Sequence, residues 1–176
     1  MAHPYQNAPA HQSWPKAMGS VAPGHVDPVV GAPRIGREEQ VATLGSCFAQ
    51  HIARHLQRSG CTYLVTEPAP AGMPPEQAAA LQYGLFTARY GNVYTVRQAL
   101  QLLRRAFGRF EPQARAWQRA DGRWVDPFRP QVTPEGFADE AGVVAARDAH
   151  LARVREMVER ADWLVFTLGL TEGWSD

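Results

Sequence analysis

The chain has 176 residues, of which 45% are hydrophobic and 20% are charged, a composition that suits one folded domain of ordinary size. Its formal net charge of +1 gives no electrostatic reason to expect nucleic acid or a membrane surface as a partner. The two cysteines, Cys47 and Cys61, are too few for a disulfide framework. No stretch approaches the roughly 18 apolar residues of a membrane span, and residues 1–33 lack the apolar run of a signal peptide. These features predict a soluble, reduced and cytoplasmic protein.

The N-terminal segment differs in composition from the rest of the chain. Residues 1–33 contain six prolines among Ala, Gly, His and Gln, and their apolar residues follow no period. Such a segment buries too little apolar surface to fold alone, so we expect a flexible leader in which Trp14 could dock. The domain is then predicted to cover residues 34–176.

A strand, a turn and a helix are predicted at the start of this domain. Residues 40–44 form an uncharged, apolar run typical of a buried parallel strand, Gly45 follows as a turn, and residues 47–59 have helical periodicity. Residues 61–66 are β-branched and aromatic, which predicts a second parallel strand and hence a βαβ unit. Three apolar side chains at helical spacing predict the buried face of the helix: Phe48, Ile52 and Leu56.

Two more helices are predicted in the middle of the chain. Residues 76–82 can form a short helix, whereas residues 83–94 mix Gly, aromatics and Thr and give no assignment. Thr95 is the predicted N-cap of a helix over residues 96–107. The predicted buried face of that helix consists of Val96, Leu100, Leu103 and Phe107.

The last predicted elements are a hairpin, a helix and a strand. The hairpin covers residues 117–125 around an Asp-Gly turn, the helix covers residues 138–161, and a buried strand covers residues 163–167. The strand leads to Gly169, a second strand end at which a site could form. Only three core strands are predicted, against about five in a usual sheet, so we expect a domain that is incomplete at its C-terminus.

The Gly45-Ser46-Cys47 turn carries the strongest chemical signal in the sequence. Ser46 and Cys47 follow a strand and begin a helix, where free backbone N–H groups and the helix dipole stabilise negative charge. A cysteine in that position is expected to be reactive as a thiolate. Strand, sharp turn, nucleophile and helix is the layout of a nucleophile elbow, although Ser46 could act only as an N-cap and Cys47 only as a packing residue.

Five motifs in a fixed order extend this signal over the chain from about residue 33 to its end. They are Gly45-Ser46-Cys47-Phe48-Ala49, Tyr90-Gly91-Asn92-Val93-Tyr94-Thr95, Asp126-Pro127-Phe128-Arg129-Pro130, Arg147-Asp148-Ala149-His150 and Thr167-Leu168-Gly169-Leu170-Thr171-Glu172-Gly173-Trp174. Together they resemble the GSCFA-domain family. That family in turn is similar to the SGNH/GDSL-type hydrolases, which cleave or transfer acyl esters. The resemblance implies an α/β fold, a flavodoxin-like three-layer sandwich with a parallel sheet.

The resemblance also implies candidate roles at the turn. The superfamily's first block places Gly, Asp and Ser at the strand end, and the same positions here are Gly45, Ser46 and Cys47. Cys47 therefore occupies the nucleophile position, and a shift by one residue would make Ser46 the nucleophile instead. A thiolate also needs less help from a base than a hydroxyl does.

Other family blocks match less closely. The third block, Gly-x-Asn-Asp, corresponds to Gly169 through Glu172, with Thr171 where the oxyanion-binding Asn is expected and Glu172 where Asp is expected. Gly91 and Asn92 are candidates for the second, oxyanion-binding block. The Asp-x-x-His of the fourth block is absent. His150 enters as a candidate site residue because it belongs to one of the matched motifs.

Two other segments of the sequence contain residues that can bind ligands. His51 and His55 follow Cys47 at helical spacing, so His51 could act as a base to Cys47, or the two histidines could hold a metal. A zinc site, however, needs a third ligand that the sequence does not supply nearby. No metal and no cofactor is therefore expected. The segment 97–129 has eight Arg and three acidic residues, a pattern that a nucleic-acid face or, more commonly, a solvated helix face produces.

The function predicted from these observations is hydrolysis or transfer of an acyl ester, with a small-molecule or carbohydrate ester as substrate. The sequence leaves open whether the chain is catalytic, because the Asp-x-x-His block that supplies the base in the superfamily is absent from it. The alternative is a non-catalytic ligand- or carbohydrate-binding module on the same sandwich, or an inactive fragment. Neither nucleic acid nor membrane is expected as a partner, and the oligomeric state is not predicted.

Overall fold

The computed structural model describes residues 6–19, 21–22, 25, 31 and 33–169. The chain divides into two compact units, residues 1–35 and 36–176. The first contains a 3-10 helix, Ala10–Gln12, and helix α1, Trp14–Met18. The sequence predicted no regular element here, but Pro15 suits the first turn of α1, where an N–H is not needed. The Trp14 side chain is 73% exposed.

The second unit is a mixed α/β structure, in agreement with the predicted class. Its main sheet is parallel and two-stranded, and a separate two-stranded antiparallel hairpin lies later in the chain. The strands are β1 Val41–Gly45, β2 Trp117–Gln118, β3 Trp124–Val125 and β4 Trp163–Thr167, and the helices are α2 Cys47–Arg58, α3 Pro75–Ala80, α4 Val96–Ala106 and α5 Glu140–Arg160.

Strands β1 and β4 pair in register from Val41 with Trp163 to Gly45 with Thr167. All residues of β1 are buried, as predicted, whereas β4 is only partly covered and Leu164 is 46% exposed. The prediction of a buried strand was therefore wrong in part for β4. Among the described residues β4 pairs only with β1, so it forms the edge of the sheet.

The second predicted strand, residues 61–66, is reduced to a single parallel bridge between Val41 and Tyr63. The Val41 N–H donates to the Thr62 carbonyl at 2.9 Å, but the Thr43 N–H donates to the Thr87 hydroxyl at 3.0 Å. After the single bridge at Val41, the Thr87 side chain therefore takes the hydrogen bond of β1 that a neighbouring strand would otherwise accept. Because that hydrogen bond joins residues 44 positions apart, local sequence could not reveal it.

The faces of the helices differ from those that apolar spacing predicted. In α2, Phe48 is 62% exposed, and the buried positions are Ala49 and Ala53. The prediction that Phe48 packs inward was wrong, because small alanine side chains let the helix approach β1 closely instead.

Helix α4 is rotated in the same way. Val96 and Leu100 are exposed, whereas Ala99, Leu102 and Arg105 are buried. Its apolar arc is wider than the buried face, so spacing alone did not fix which edge of the arc packs inward. The prediction of Val96 and Leu100 as buried positions was wrong.

The segment that the sequence left unassigned supplies part of the core. Phe86, Thr87, Ala88 and Tyr90 are each no more than 3% exposed and lie in irregular backbone. The Tyr90 hydroxyl donates to the Thr43 carbonyl and so ties this segment to β1. Its irregular backbone explains why no period was visible in the sequence.

Candidate functional site

The β1–α2 turn has the sharp geometry that the sequence predicted. Gly45 has φ of 140°, and a Cβ placed on it would lie within 3 Å of three Thr167 atoms. The Val93 N–H donates to the Gly45 carbonyl at 2.7 Å. Only glycine therefore fits where the ends of β1 and β4 approach so closely.

Ser46 is occupied as the N-cap of α2. Its hydroxyl accepts a hydrogen bond from the Phe48 N–H at 3.3 Å, and its own N–H donates to the Thr167 hydroxyl at 3.1 Å. The hydroxyl oxygens of Ser46 and Thr167 lie 3.4 Å apart. Thr167 was not named as a site residue from the sequence, although its position at the end of a predicted strand pointed toward this edge.

Cys47, the first residue of α2, is exposed. Neither its N–H nor its thiol forms a hydrogen bond with another described residue. The thiol thus lies at the positive end of a 12-residue helix with free access to solvent. This arrangement can support attack on an electrophile, and the free N–H can donate to a developing anion.

The second strand end meets this turn. The Gly169 N–H donates to the Tyr94 carbonyl at 3.0 Å, and a Cβ on Gly169 would lie 3.5 Å from the Ser46 Cβ. Gly91, with φ of 72°, and the exposed Asn92 directly precede the residue that binds the Gly45 carbonyl. The predicted site residues Thr171 and Glu172 lie outside the described residues.

His150 lies on α5 and is 2% exposed. Its Nδ1 is 2.7 Å from a Glu67 carboxylate oxygen. Burial lowers the pKa of His150, an effect that the hydrogen bond with Glu67 opposes, so the ring is neutral at pH 7. The neutral ring then donates from Nδ1, and its buried Nε2, for which no described residue is a partner, carries only a lone pair. This geometry gives His150 a pairing role in the core.

Glu67 also binds Arg89. It accepts the Arg89 N–H at 2.8 Å, and its second oxygen lies 3.7 Å from the guanidinium. Burial raises the pKa of Glu67, but its hydrogen bond with His150, the Arg89 N–H and the charge of Arg129 together lower it. The carboxylate is therefore held ionised in a half-buried position. No pattern in the sequence pointed to Glu67, which directly follows the second predicted strand.

A second buried acid, Asp126, gathers arginines from several segments. Its carboxylate lies 3.0 Å from Arg129 and 3.2 Å from Arg147, and the guanidinium of Arg105 stacks on the Phe128 ring at 3.9 Å. Burial raises the pKa of Asp126, but the charges of Arg129 and Arg147 outweigh that effect and lower it. We call Asp126, Arg105, Arg129 and Arg147 the arginine cluster.

Two of the matched motifs meet in this cluster, since Asp126 and Arg129 belong to one and Arg147 to another. The sequence indicated those motifs but not their meeting, and it assigned the arginines to a solvated face. That interpretation, which concerned residues 97–129, was wrong for Arg105, which is 7% exposed. Arg147, which lies outside that segment, is buried to the same extent. A buried arginine cannot be recognised from spacing, because its burial depends on partners far along the chain.

The described part of the chain offers no metal site. It contains no group of three or more His, Cys, Asp or Glu residues that could hold a metal ion, and His51 and His55 are exposed on α2. No helix described in the structure combines the length and the apolarity needed to cross a bilayer.

A family model described as the GSCFA family matches residues 40–176, which is most of the chain. The chain belongs to the GSCFA family. The resemblance inferred from the five motifs is thereby confirmed. No curated protein and no solved structure gives a significant match. The matched region of this GSCFA chain includes the β1–α2 turn and the arginine cluster, so both lie in the family's domain.

Proposed function

We propose that this GSCFA chain is an SGNH-like hydrolase or acyltransferase that acts on an ester through Cys47. The observation that carries the proposal is the exposed, unbonded thiol at the start of α2, beside the ends of two parallel strands. In this reaction the thiolate attacks the ester carbonyl, the alcohol leaves with a proton, and an acyl-enzyme remains. Water or a second alcohol then takes the acyl group and releases the thiol. An O-acylated carbohydrate is a substrate of this class.

Cys47 is preferred to Ser46 as the nucleophile because of their hydrogen bonds. The Ser46 hydroxyl already accepts the Phe48 N–H and neighbours Thr167, whereas the Cys47 thiol has no described partner. The capping bond occupies one of the two lone pairs of the Ser46 hydroxyl and restricts its orientation, so Ser46 is the less available nucleophile.

The hydrogen bonds of the turn also indicate which N–H groups are available to bind the oxyanion. The Ser46 N–H is occupied by Thr167, so the Cys47 N–H is the free donor within the turn. Gly91 and Asn92 lie in the adjacent loop, and we propose that they and Thr171 complete the oxyanion hole, with Glu172 beside it. We further propose that the sheet is part of a flavodoxin-like sandwich.

The base in this proposal is not His150, because that ring is buried and bound to Glu67. His51, which is exposed on α2 one turn after Cys47, is the candidate base that the described residues offer. A histidine or carboxylate from elsewhere in the protein is the alternative source.

The proposal is tested by steady-state hydrolysis of p-nitrophenyl acetate. We expect Cys47→Ala to abolish turnover, Ser46→Ala to reduce it, and Cys61→Ala, the matched control, to leave it unchanged. Turnover that survives both Cys47→Ala and Ser46→Ala would refute a nucleophile at this turn. His51→Gln distinguishes the two sources of the base, because it lowers turnover only if His51 takes the proton.

A non-catalytic binding module is the second candidate. It is favoured by one observation: no described acid or base forms a hydrogen bond with Cys47. In that case the unmodified chain would bind an acylated sugar, measured by calorimetry, without releasing its acyl group. Multiple turnovers by the wild-type chain on any acyl ester would exclude this candidate.

A further inference from the structure

Residues 89–94, which we call the 89–94 loop, form no helix or strand but are bonded to the β1–α2 turn. Toward the far end of the loop, the Val93 N–H donates to the Gly45 carbonyl at 2.7 Å. The two residues before Val93, Gly91 and Asn92, form no backbone hydrogen bond with a described residue. The place of these two residues beside the turn therefore depends on what anchors the loop on either side of them.

The near end of the loop is anchored by one carboxylate oxygen of Glu67. That oxygen, Oε2, accepts the Arg89 N–H at 2.8 Å and lies 2.7 Å from the Nδ1 of His150. His150 is 2% exposed on α5, so packing fixes the position of its ring. Through a single atom, Glu67 thus joins a buried side chain of a helix to the backbone of an irregular loop.

The other contacts at this end hold side chains more firmly than they hold the backbone. The Arg89 guanidinium donates to the Val132 carbonyl at 2.9 Å, and the Tyr90 hydroxyl donates to β1. The Arg89 carbonyl accepts only a long hydrogen bond of 3.4 Å from Arg129. Because the loop has no strand partner for its backbone, Glu67 is the described group that fixes its first N–H.

We propose that Glu67 is a positioning residue whose reach, rather than its charge, holds the 89–94 loop in place beside the β1–α2 turn. The inference rests on the proposed function in one respect, that Gly91 and Asn92 bind the oxyanion formed when Cys47 attacks. A displacement of about 1 Å in such groups can lower a rate by about 100-fold. Glu67 then acts on the transition state through the loop, without contact with the substrate.

Two conservative variants separate reach from charge. Glu67→Gln keeps the length of the side chain, and its amide oxygen can accept both hydrogen bonds that end on Oε2. Glu67→Asp keeps the charge but lacks one methylene group, so its oxygen falls short of the two donors. Val154→Ala, at a fully buried position of α5 outside this contact, is the control for a loss of stability alone.

The first test measures amide hydrogen exchange of the full chain by NMR. Glu67→Asp should speed exchange of the Arg89 and Val93 amides by about tenfold relative to the amides of α2. Glu67→Gln should keep the wild-type ratio, and Val154→Ala should keep it too, even if it speeds exchange in general. An unchanged ratio in Glu67→Asp, or an equal change in Glu67→Gln, would overturn the proposal.

The second test measures steady-state hydrolysis of p-nitrophenyl acetate. Glu67→Asp should lower kcat by about tenfold or more with KM nearly unchanged, because oxyanion donors act mainly in the transition state. Glu67→Gln should retain most of kcat. Alkylation of Cys47 by iodoacetamide, which forms no oxyanion, should keep its wild-type rate in both variants. An equal fall of kcat in Val154→Ala, or a parallel fall in the alkylation rate, would indicate a merely structural role and overturn the proposal.

The two tests fail in distinguishable ways. A wild-type chain that hydrolyses no ester would refute the proposed function, whereas the exchange ratio would still decide whether Glu67 holds the loop. If Glu67→Asp does not fold, the wild-type chain alone decides, since the protection of the Arg89 amide should match that of the Val93 amide within about tenfold. An Arg89 amide that exchanges much faster than the Val93 amide would show that the loop is held without Glu67 and overturn the proposal.

Discussion

The β1–α2 turn and the arginine cluster lie in the same α/β unit but are built in opposite ways. The turn consists of consecutive residues that hydrogen-bond with Val93 and Thr167, and it leaves Cys47 exposed. The cluster uses side chains from α4, α5 and the loop between β3 and α5, and it buries them. Changes in the cluster should therefore cost stability, whereas changes of the Cys47 side chain should cost chemistry and little stability.

The largest effect on stability is expected for Asp126→Asn. The substitution keeps the shape but removes the only carboxylate among three buried guanidinium groups, so we expect a loss of about 3–5 kcal/mol in the free energy of unfolding. Urea denaturation followed by circular dichroism measures it. Asp148→Asn, the same change at an exposed position of α5, should stay within about 0.5 kcal/mol. A loss for Asp126→Asn as small as that of the control would show that the cluster contributes no net stability.

The next effect concerns the backbone of the turn. Gly45→Ala and Gly108→Ala both place alanine at positive φ, which costs about 1–2 kcal/mol in the left-handed region of Gly108 (φ 64°) and more at the φ of 140° of Gly45. Only at Gly45 does the new Cβ collide with Thr167, whereas at Gly108 it meets open space. We therefore expect Gly45→Ala to cost about 1–3 kcal/mol more than Gly108→Ala in urea denaturation. Equal losses would mean that the ends of β1 and β4 separate without penalty.

A pH effect is expected from His150. Burial holds the pKa of the folded ring below the unfolded value of 6.5, so the unfolded chain binds the extra proton first as pH falls. The contribution of His150 to the free energy of unfolding is therefore present at pH 7. It is lost as the pH falls through 6.5 and then through the lower pKa of the folded ring. His150→Gln should remove this component of the decline between pH 7 and 5, measured by urea midpoints.

His51→Gln, on the exposed side of α2, is the matched control for that experiment and should keep the wild-type decline. A decline of the same size in His150→Gln would place its origin elsewhere. Glu67 and Asp126, whose pKa values are lowered, add a loss of the same sign only at more acidic pH.

The smallest effect on the fold is expected from chemical modification of the two cysteines. Cys47 is exposed and Cys61 is half-buried, so iodoacetamide should modify Cys47 first, as followed by mass spectrometry of tryptic peptides. The fold should be unaffected by this modification. Modification of Cys61 at an equal or greater rate would contradict the open geometry of the turn.

Elements with strong local signals were predicted closely from the sequence. Thr95 caps α4, and Gln98 completes a capping box with it. The hairpin forms around its Asp-Gly turn, and β4 has the predicted bounds. Each of these depends on residues within a few positions of one another, which is why pattern and turn chemistry were sufficient.

Local sequence patterns did not predict the buried faces of α2 and α4 correctly, nor the reduction of the second predicted strand to one bridge. Phe48 and Leu100 face solvent because neighbouring alanines pack against the rest of the unit, and residues 61–66 keep one bridge because Thr87 takes the next hydrogen bond of β1. Each of these outcomes depends on competition between partners that lie far apart in the chain. The periodicity of a segment contains no information about that competition.

The sequence by itself determined that Cys47 begins a helix directly after a strand and a glycine turn, because backbone conformation at such a turn follows from adjacent residues. It also determined membership of the GSCFA family through the order of its motifs. Only the tertiary structure decided that His150 pairs with Glu67 and that Arg105 and Arg147 are buried around Asp126. The burial of a charge depends on which distant groups surround it, and that arrangement exists only once the chain has folded.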